Sequence, residues 1–389
     1  MNNFIFENST KVYFGRGSVK EFLADKIKTY AGAVMLAYGG GSVKKNGIYD
    51  EVRQILVGEG KEIVEFSGIM PNPTYQKVLE GASLVRAHHV GLILGVGGGS
   101  VMDCCKAVSM AAVYDGDLWS DYWEKRGVVY FDPIPLGVIV TAAGTGSEMN
   151  GGAVITNQDK KIKTGMDYPE CNPKFALMDP EYTMSVPKIQ TASGGFDILS
   201  HIMETYFSCP DDDNVSDDIA EALMKSVVKN LPKAIENPED YTARSNLMWA
   251  SSMAENRIIK LGKRTDFQAH QIEHQIGVYT DCNHGCGLAV IQPVYYRYIY
   301  KENPKKFARF AQNVWDISSD GKKECALALE GIQALERFIA EIGLPTTLKE
   351  LGIDNKALLS EIAASCNISR GSYKHMTEKD ILTILNESY

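Results

Sequence analysis

Seven histidines occur in 389 residues, and four of them fall between positions 201 and 284. Asp197 and His201 stand four apart in a helical pattern, so both side chains leave one face of the helix. His270 and His274 repeat that spacing, and His284 follows after a glycine-containing turn. One carboxylate with several imidazoles at helical spacing suits a divalent cation such as Fe²⁺ or Zn²⁺. Taken singly, Asp197 also reads as a first-turn acid favoured by the helix dipole, and His201 as a satisfied core histidine. It is the joint pattern that points to a metal. Spacing leaves open which of His270, His274 and His284 are ligands. Cys282-x-His284-x-Cys286 is a rival site, though its spacing does not match a usual zinc knuckle.

A second chemistry sits in the first half of the chain. The string GGGSV occurs twice, at Gly39–Val43 and Gly97–Val101, each time directly after an apolar, strand-like run. A strand that ends in glycines and turns into a helix offers bare backbone N–H groups and a positive helix end to a pyrophosphate. This is not the G-x-G-x-x-G fingerprint, because Ser100 stands where the third glycine would be. The alternative for either turn is a tight strand-to-helix bend that needs positive φ. A third polar glycine turn at Thr145-Gly146-Ser147 tips the balance toward a nucleotide. A kinase-type P-loop is excluded, because no G-x-x-x-x-G-K-[ST] is present.

The elements that must position these groups divide the chain in two. Apolar runs at Ala33–Ala37, Lys61–Phe66, Gly91–Val96 and Ile134–Thr141 alternate with helical stretches, the pattern of a parallel sheet with flanking helices. After Pro187 long helical patterns take over, among them Gly195–Phe207, Asp217–Asn230 and Glu324–Ile342, the last stopped by Gly343 and Pro345. The boundary falls at residues 180–190. Phe4–Phe14 alternates enough to predict an edge strand, and an uncovered edge invites a homodimer. Trp119, Tyr122 and Trp123 read either as the lining of an apolar pocket or as packing.

Composition narrows the partners. The 44% apolar and 23% charged residues are those of an ordinary globular protein. A formal charge of −9 argues against nucleic acid, which calls for a basic stripe. No run approaches the ~20 apolar residues of a membrane span, and the N-terminus lacks a signal peptide's basic start and apolar core. Eight cysteines are too sparse for a disulfide framework, and adjacent Cys104 and Cys105 are poorly placed to pair. These features predict a soluble, cytoplasmic protein with no membrane partner.

Four motifs then carry a resemblance: LGVGGGSVMDCCKA, TAAGTGSE, FDILSHIMETYF and HQIEHQIGVYTDCNHGCGLAV, from Leu94, Thr141, Phe196 and His270. In this order they resemble the iron-containing (group III) alcohol dehydrogenases, most nearly the butanol dehydrogenase and NADPH-dependent aldehyde reductase branch. The likeness runs from Thr10 to the C-terminal KDILTILNESY. It implies a dehydroquinate synthase-like architecture: an α/β dinucleotide-binding domain over 1–185, an all-α metal-binding domain over 186–389, and an active site in the cleft between them. Matched motif by motif, the resemblance assigns the metal to Asp197, His201, His270 and His284. By the same analogy His274 then lies near the nicotinamide and is expected to help relay a proton. The resemblance also puts Gly97, Gly98, Gly99 and Ser100, with Asp103 in the following helix, on the pyrophosphate. It sets Thr141, Thr145 and Ser147 around the nicotinamide, Gly40, Gly41 and Ser42 at the adenosine end, and adds Asn72 and Lys163. NAD-preferring relatives tend to carry an Asp where this chain has Gly40; without it, and with Ser42, Lys44 and Lys45 as donors, NADP(H) is expected over NAD(H).

The reaction implied is reversible reduction of aldehydes to primary alcohols such as butanol, with the metal, Fe²⁺ or Zn²⁺, polarising the substrate oxygen. The alternatives are a polyol dehydrogenase, a dehydroquinate synthase-like lyase, and a non-catalytic metal- and nucleotide-binding protein. The lyase is disfavoured because the segments around the proposed ligands are apolar or carry Glu204 and Glu273 rather than basic residues.

Overall fold

The computed structural model describes residues 1–366 and 373–389. Two compact units divide the chain, one of Glu7–Val186 and one of Pro187–Tyr389 together with Met1–Phe6.

The first unit is built on a six-stranded, wholly parallel sheet in the order β1-β8-β5-β4-β2-β3. Its strands are β1 (Lys11–Phe14), β2 (Ala33–Tyr38), β3 (Ile63–Phe66), β4 (Val90–Gly97), β5 (Leu136–Val140) and β8 (Phe175–Met178). Between β5 and β8 an antiparallel pair, β6 (Gly152–Asn157) and β7 (Ile162–Asp167), forms a separate ribbon. The central strands β2, β4 and β5 are buried almost throughout, which is why their sequences run apolar without alternation. Helices α1 (Ser18–Ile27) and α3 (Ile48–Gly58) cover one face through Leu23, Ile27, Val52 and Leu56. Helices α4 (Tyr75–Ala87) and α5 (Gly99–Ala111) lie on the other, where a Cβ at Gly95 of β4 would meet Cys105 of α5 at 3.2 Å. A one-turn α2 (Ser42–Lys45) follows β2.

The expected parallel sheet is present, with two differences in its strands. Strand β8 and the β6–β7 ribbon were not anticipated, since FALM is only four residues long and the ribbon is rich in Gly, Thr, Lys and Asn. The expected edge strand Phe4–Phe14 forms only over Lys11–Phe14. Upstream, Asn8 accepts from the Thr10 N–H at 3.1 Å and donates to the Met149 carbonyl at 2.8 Å, a local turn that competes with extended pairing. Phe4, Ile5 and Phe6 are exposed.

The second unit is helical: α6 (Lys188–Tyr206), α7 (Val215–Glu236), α8 (Tyr241–Glu255), α9 (Gln268–Thr280), α10 (His284–Ile299), α11 (Pro304–Trp315), α12 (Glu324–Glu341), α13 (Leu358–Ser365) and α14 (Glu378–Glu387). The three long helices expected from sequence lie in α6, α7 and α12. Helix α6 is central, packing against α7, α8 and α10. From Gly195 to Tyr206 it is buried all round, which explains why it lacks a polar stripe. Among the described residues no helix is long and apolar enough to cross a membrane, and all eight cysteines are free.

Candidate functional site

Three helices bring the histidine cluster together. Asp197 and His201 project from one face of α6, His270 and His274 from α9, and His284 opens α10. Asp197, His270 and His274 are buried, and His201 is only 8% exposed. Asp197 Oδ1 is the focus: His201 Nδ1 stands 3.2 Å from it, His284 Nε2 3.7 Å and His270 Nε2 4.0 Å. Ligand atoms of Asp197, His201 and His270 all lie within 4.8 Å of one another. His274 lies with Glu273 and His284 in a second group of close ligand atoms, its ring centroid 5.5 Å from His284 and 6.3 Å from His270. Phe267 covers the cluster, 5.1 Å from the His270 ring and 6.1 Å from that of His201.

Hydrogen bonds set the direction of each ring. His201 Nδ1 is 2.8 Å from the main-chain carbonyl of Asp197, one helical turn back. A proton on Nδ1 donates there and leaves Nε2 as the ligand atom. His270 Nδ1 contacts Glu204, and His284 Nδ1 contacts Glu273. His270 Nε2, buried, has no hydrogen-bond partner among the described residues. A buried imidazole nitrogen with a lone pair and no donor is costly unless a cation takes it. The donor set of one carboxylate and three imidazoles suits Fe²⁺ or Zn²⁺, and the outer carboxylates supply the supports such rings commonly have. The residues therefore fit a divalent metal. Among the described residues, no cysteine joins either group of candidate ligands.

Without a cation, two of the candidate ligand histidines titrate in opposite directions. Burial disfavours the imidazolium of His201, but Asp197 and Glu255 outweigh it and raise the ring to about 9. Burial, together with the charges of His201, His284 and His274, holds His270 well below its ordinary value. Burial and Asp266 push Glu204 well up. A cation on Nε2 favours the arrangement with Nδ1–H donating to the carboxylate.

In the first unit the two GGGS turns lie at the carboxyl ends of β2 and β4. These neighbours straddle the point where the strand order reverses, since β2 leads outward to β3 and β4 leads the other way to β5. In open α/β sheets that is where ligands bind. Helix α5 begins at Gly99 with no side-chain cap and no acid in its first turn, leaving its first N–H groups to an anion. The Thr141–Ser147 turn packs directly on it: a Cβ at Gly99 would stand 2.5 Å from Thr145, and one at Gly98 3.3 Å from Ala142. Gly97, Gly98, Gly99, Ser100, Thr141 and Thr145 therefore lie together. Gly40 and Ser42 are exposed after β2, with Gly41 at φ +108. Asn72 takes φ +53 in the turn before α4, and Lys163, 4% exposed, lies on β7 opposite Thr156.

Asp103 and Ser147 are engaged with the protein itself. Ser147 Oγ donates to Asp103 at 2.6 Å, and the Val154 N–H donates to the other carboxylate oxygen at 2.9 Å. Lys106, fully buried, donates to Ser147 Oγ at 2.7 Å, Asn150 Oδ1 at 3.1 Å and the Gly152 carbonyl at 2.7 Å. This ammonium fastens the Thr141–Ser147 turn to α5, and the sequence reading missed it. Its signal was the single basic residue of an otherwise largely apolar helix, one turn after Asp103. Trp119, Tyr122 and Trp123 are each 2% exposed. The two indoles stack at 6.0 Å, and Trp119 also lines a cavity of about 390 Å³ together with Tyr75, Leu79 and Lys160.

Comparison with known proteins follows the same division. Residues 9–180 match the family described as "Iron-containing alcohol dehydrogenase", and residues 191–389 match "Fe-containing alcohol dehydrogenase family, C-terminal". The chain is 38% identical over 393 residues to NADH-dependent butanol dehydrogenase A of Clostridium acetobutylicum, covering 100% of both chains. It is 34% identical over 364 residues to an NADPH-dependent aldehyde reductase of Escherichia coli, covering 92% of this chain and 91% of that one. Among solved structures, that of NADH-dependent butanol dehydrogenase A from Thermotoga maritima superposes with a TM-score of 0.94 at 36% identity, covering 100% of this chain and 99% of the other. The chain belongs to the iron-containing alcohol dehydrogenase family.

Proposed function

We propose that the protein interconverts primary alcohols and aldehydes of butanol-like size, with NADP(H) as preferred cofactor and Fe²⁺ as the metal held by Asp197, His201, His270 and His284. The observation that carries this reading is the convergence of two histidine Nε2 atoms on Asp197 Oδ1, one of them buried without a hydrogen-bond partner among the described residues. When bound, the metal supplies a Lewis acid for the substrate oxygen and the nicotinamide supplies the hydride. The chain's own residues do the rest. The Gly97–Ser100 turn holds the pyrophosphate at the start of α5, and Thr141 and Thr145 border the nicotinamide. His274, beside His284, gives or takes the proton that completes the reduction.

The cofactor preference rests on the end of β2. Gly40 places no carboxylate there and has open space around its Cβ position. The Lys44 ammonium is held over Tyr38 and Tyr49, 5.0 and 4.5 Å from the ring centroids. A 2′-phosphate would meet no carboxylate from Gly40 and a nearby cation, although Glu65, bonded to the hydroxyls of Tyr38 and Tyr49, is an acid close to that cation. The named relatives divide on this point, the butanol dehydrogenases being NADH-dependent and the reductase NADPH-dependent. A homodimer through the β1 edge of the sheet completes the reading, and light scattering on the full chain checks it: a monomer refutes it.

The deciding assay follows cofactor oxidation with butanal, run anaerobically on metal-stripped protein before and after adding Fe²⁺ or Zn²⁺, with NADPH and NADH compared. Turnover that appears only with metal and is faster with NADPH supports the reading. Metal-independent turnover, or none with either cofactor, overturns it.

A further inference from the structure

We propose that Glu204 and Glu273 are positioning residues for the metal, each fixing one ligand histidine so that its Nε2 faces Asp197. This rests on the ligand set proposed above and goes beyond it, because neither glutamate is placed among the ligands.

The two pairs are built alike and cross between helices. Glu204 on α6, 2% exposed, contacts Nδ1 of His270 on α9. Its other oxygen accepts from the Ala269 N–H at 2.8 Å. That N–H belongs to the first turn of α9, whose own N-cap residue gives no side-chain cap. Glu204 therefore anchors the helix start and the ring together. Glu273 on α9, fully buried, contacts Nδ1 of His284 on α10. Gly287 makes room for it, since a Cβ there would stand 2.6 Å from Glu273 Cγ. In both rings the opposite nitrogen points toward Asp197 Oδ1, at 4.0 and 3.7 Å.

A second role for Glu273 has to be weighed. Glu273, His274 and His284 also present ligand atoms within 4.8 Å of one another, as a second cation group would. An ion bonded to both Glu273 and His284 Nδ1 would hold those atoms about 3.3 Å apart, given bonds of ~2.0–2.2 Å at a tetrahedral angle. They are instead in direct hydrogen-bonding contact. The contacting Glu273 oxygen and His284 Nδ1 thus share a hydrogen bond and not an ion. A carboxylate on Nδ1–H fixes the tautomer and raises the basicity of Nε2, and losing such a partner weakens metal binding by about 10- to 100-fold.

The test measures binding without catalysis. Metal-stripped wild-type protein, Glu204→Gln, Glu273→Gln and His270→Ala are titrated with Co²⁺. Visible ligand-field bands report the geometry, and a competing chromophoric chelator reports the affinity. Each Gln variant is expected to bind 10- to 100-fold more weakly with shifted bands, and His270→Ala to bind worse than either. Wild-type affinity and spectrum in both Gln variants, with His270→Ala impaired, would overturn the positioning role and leave the ligand set standing. Normal binding by His270→Ala would overturn the ligand set and this inference with it. Thermal melts without metal check folding. If a Gln variant does not fold, Glu204→Asp and Glu273→Asp, which keep the charge but shorten its reach, are read in the same titration. Unchanged affinity and bands in the Asp variants would overturn the role.

Discussion

Gly285→Ala tests how the backbone around His284 holds the candidate metal ligands. Gly285 follows His284 in the first turn of α10, where α10 crosses α6. A Cβ there would overlap the main-chain oxygen of Ser193 and stand 2.7 Å from its carbonyl carbon. Carbon pairs rest at about 3.5–4.0 Å, so the helices must part by about 1 Å, and since the obstacle is backbone no rotamer change relieves it. Overpacking of this kind costs ~1–3 kcal/mol, while alanine in place of a helical glycine returns about 1 kcal/mol. The metal-free protein should therefore lose at most ~2 kcal/mol. The metal should be affected more, because ligand distances tolerate only about ±0.2 Å and His284 moves with its helix. Wild-type protein at a metal concentration of 100 times Kd gains about 2.7 kcal/mol from binding, and most of that gain should vanish in the variant. The assay is thermal unfolding of both proteins with and without metal, with Gly58→Ala, a glycine whose Cβ would meet nothing, as control. An undiminished metal-dependent rise in Tm for Gly285→Ala would refute the reasoning.

Other perturbations test the first unit. Lys106→Met removes a buried cation from Ser147, Asn150 and Gly152 and leaves Asp103 without it. A stability loss of ~1.5–3 kcal/mol is expected, the range for hydrogen bonds to a charged group, with a rise in KM for the nucleotide that exceeds any rise for the aldehyde; denaturant unfolding and steady-state kinetics check both. Gly40→Asp restores a carboxylate near the adenosine ribose and should shift the NADPH-to-NADH ratio of kcat/KM toward NADH by tenfold or more, about 1.4 kcal/mol. An unchanged ratio would remove the argument from Gly40.

What could be read from the sequence, and what could not, follows from the range of each physical signal. The central strands announced themselves because burial on both faces demands unbroken apolar runs. The α/β and helical halves separated because the hydrophobic period changes near Pro187. Strand β8 was missed because four residues carry too little pattern, and the edge strand came out too long because the Asn8 turn interrupts it. At the histidine cluster the spacing showed which side chains share a helix face. It did not show which helices meet, so the ligands were chosen by resemblance alone. The outer carboxylates were more visible than they seemed, since Asp197, His201 and Glu204 recur at i, i+4 and i+7 on one apolar helix. An acid in such a setting is buried, and a buried acid needs a partner.

That placement has a consequence for the chemistry the proposed ligand set can do. With one carboxylate and three neutral imidazoles in contact with it, a divalent cation keeps a net charge of +1 and remains an effective electrophile. Had Glu204 and Glu273 been ligands as well, three carboxylates would make the inner layer net negative and weaken the pull on a substrate oxygen. Set one ring further out, against Nδ1 of His270 and His284, they still favour a cation electrostatically and fix the imidazole rings. The fold meets two demands that conflict at a single layer, tight binding and residual Lewis acidity, by giving them to successive layers on α6, α9 and α10.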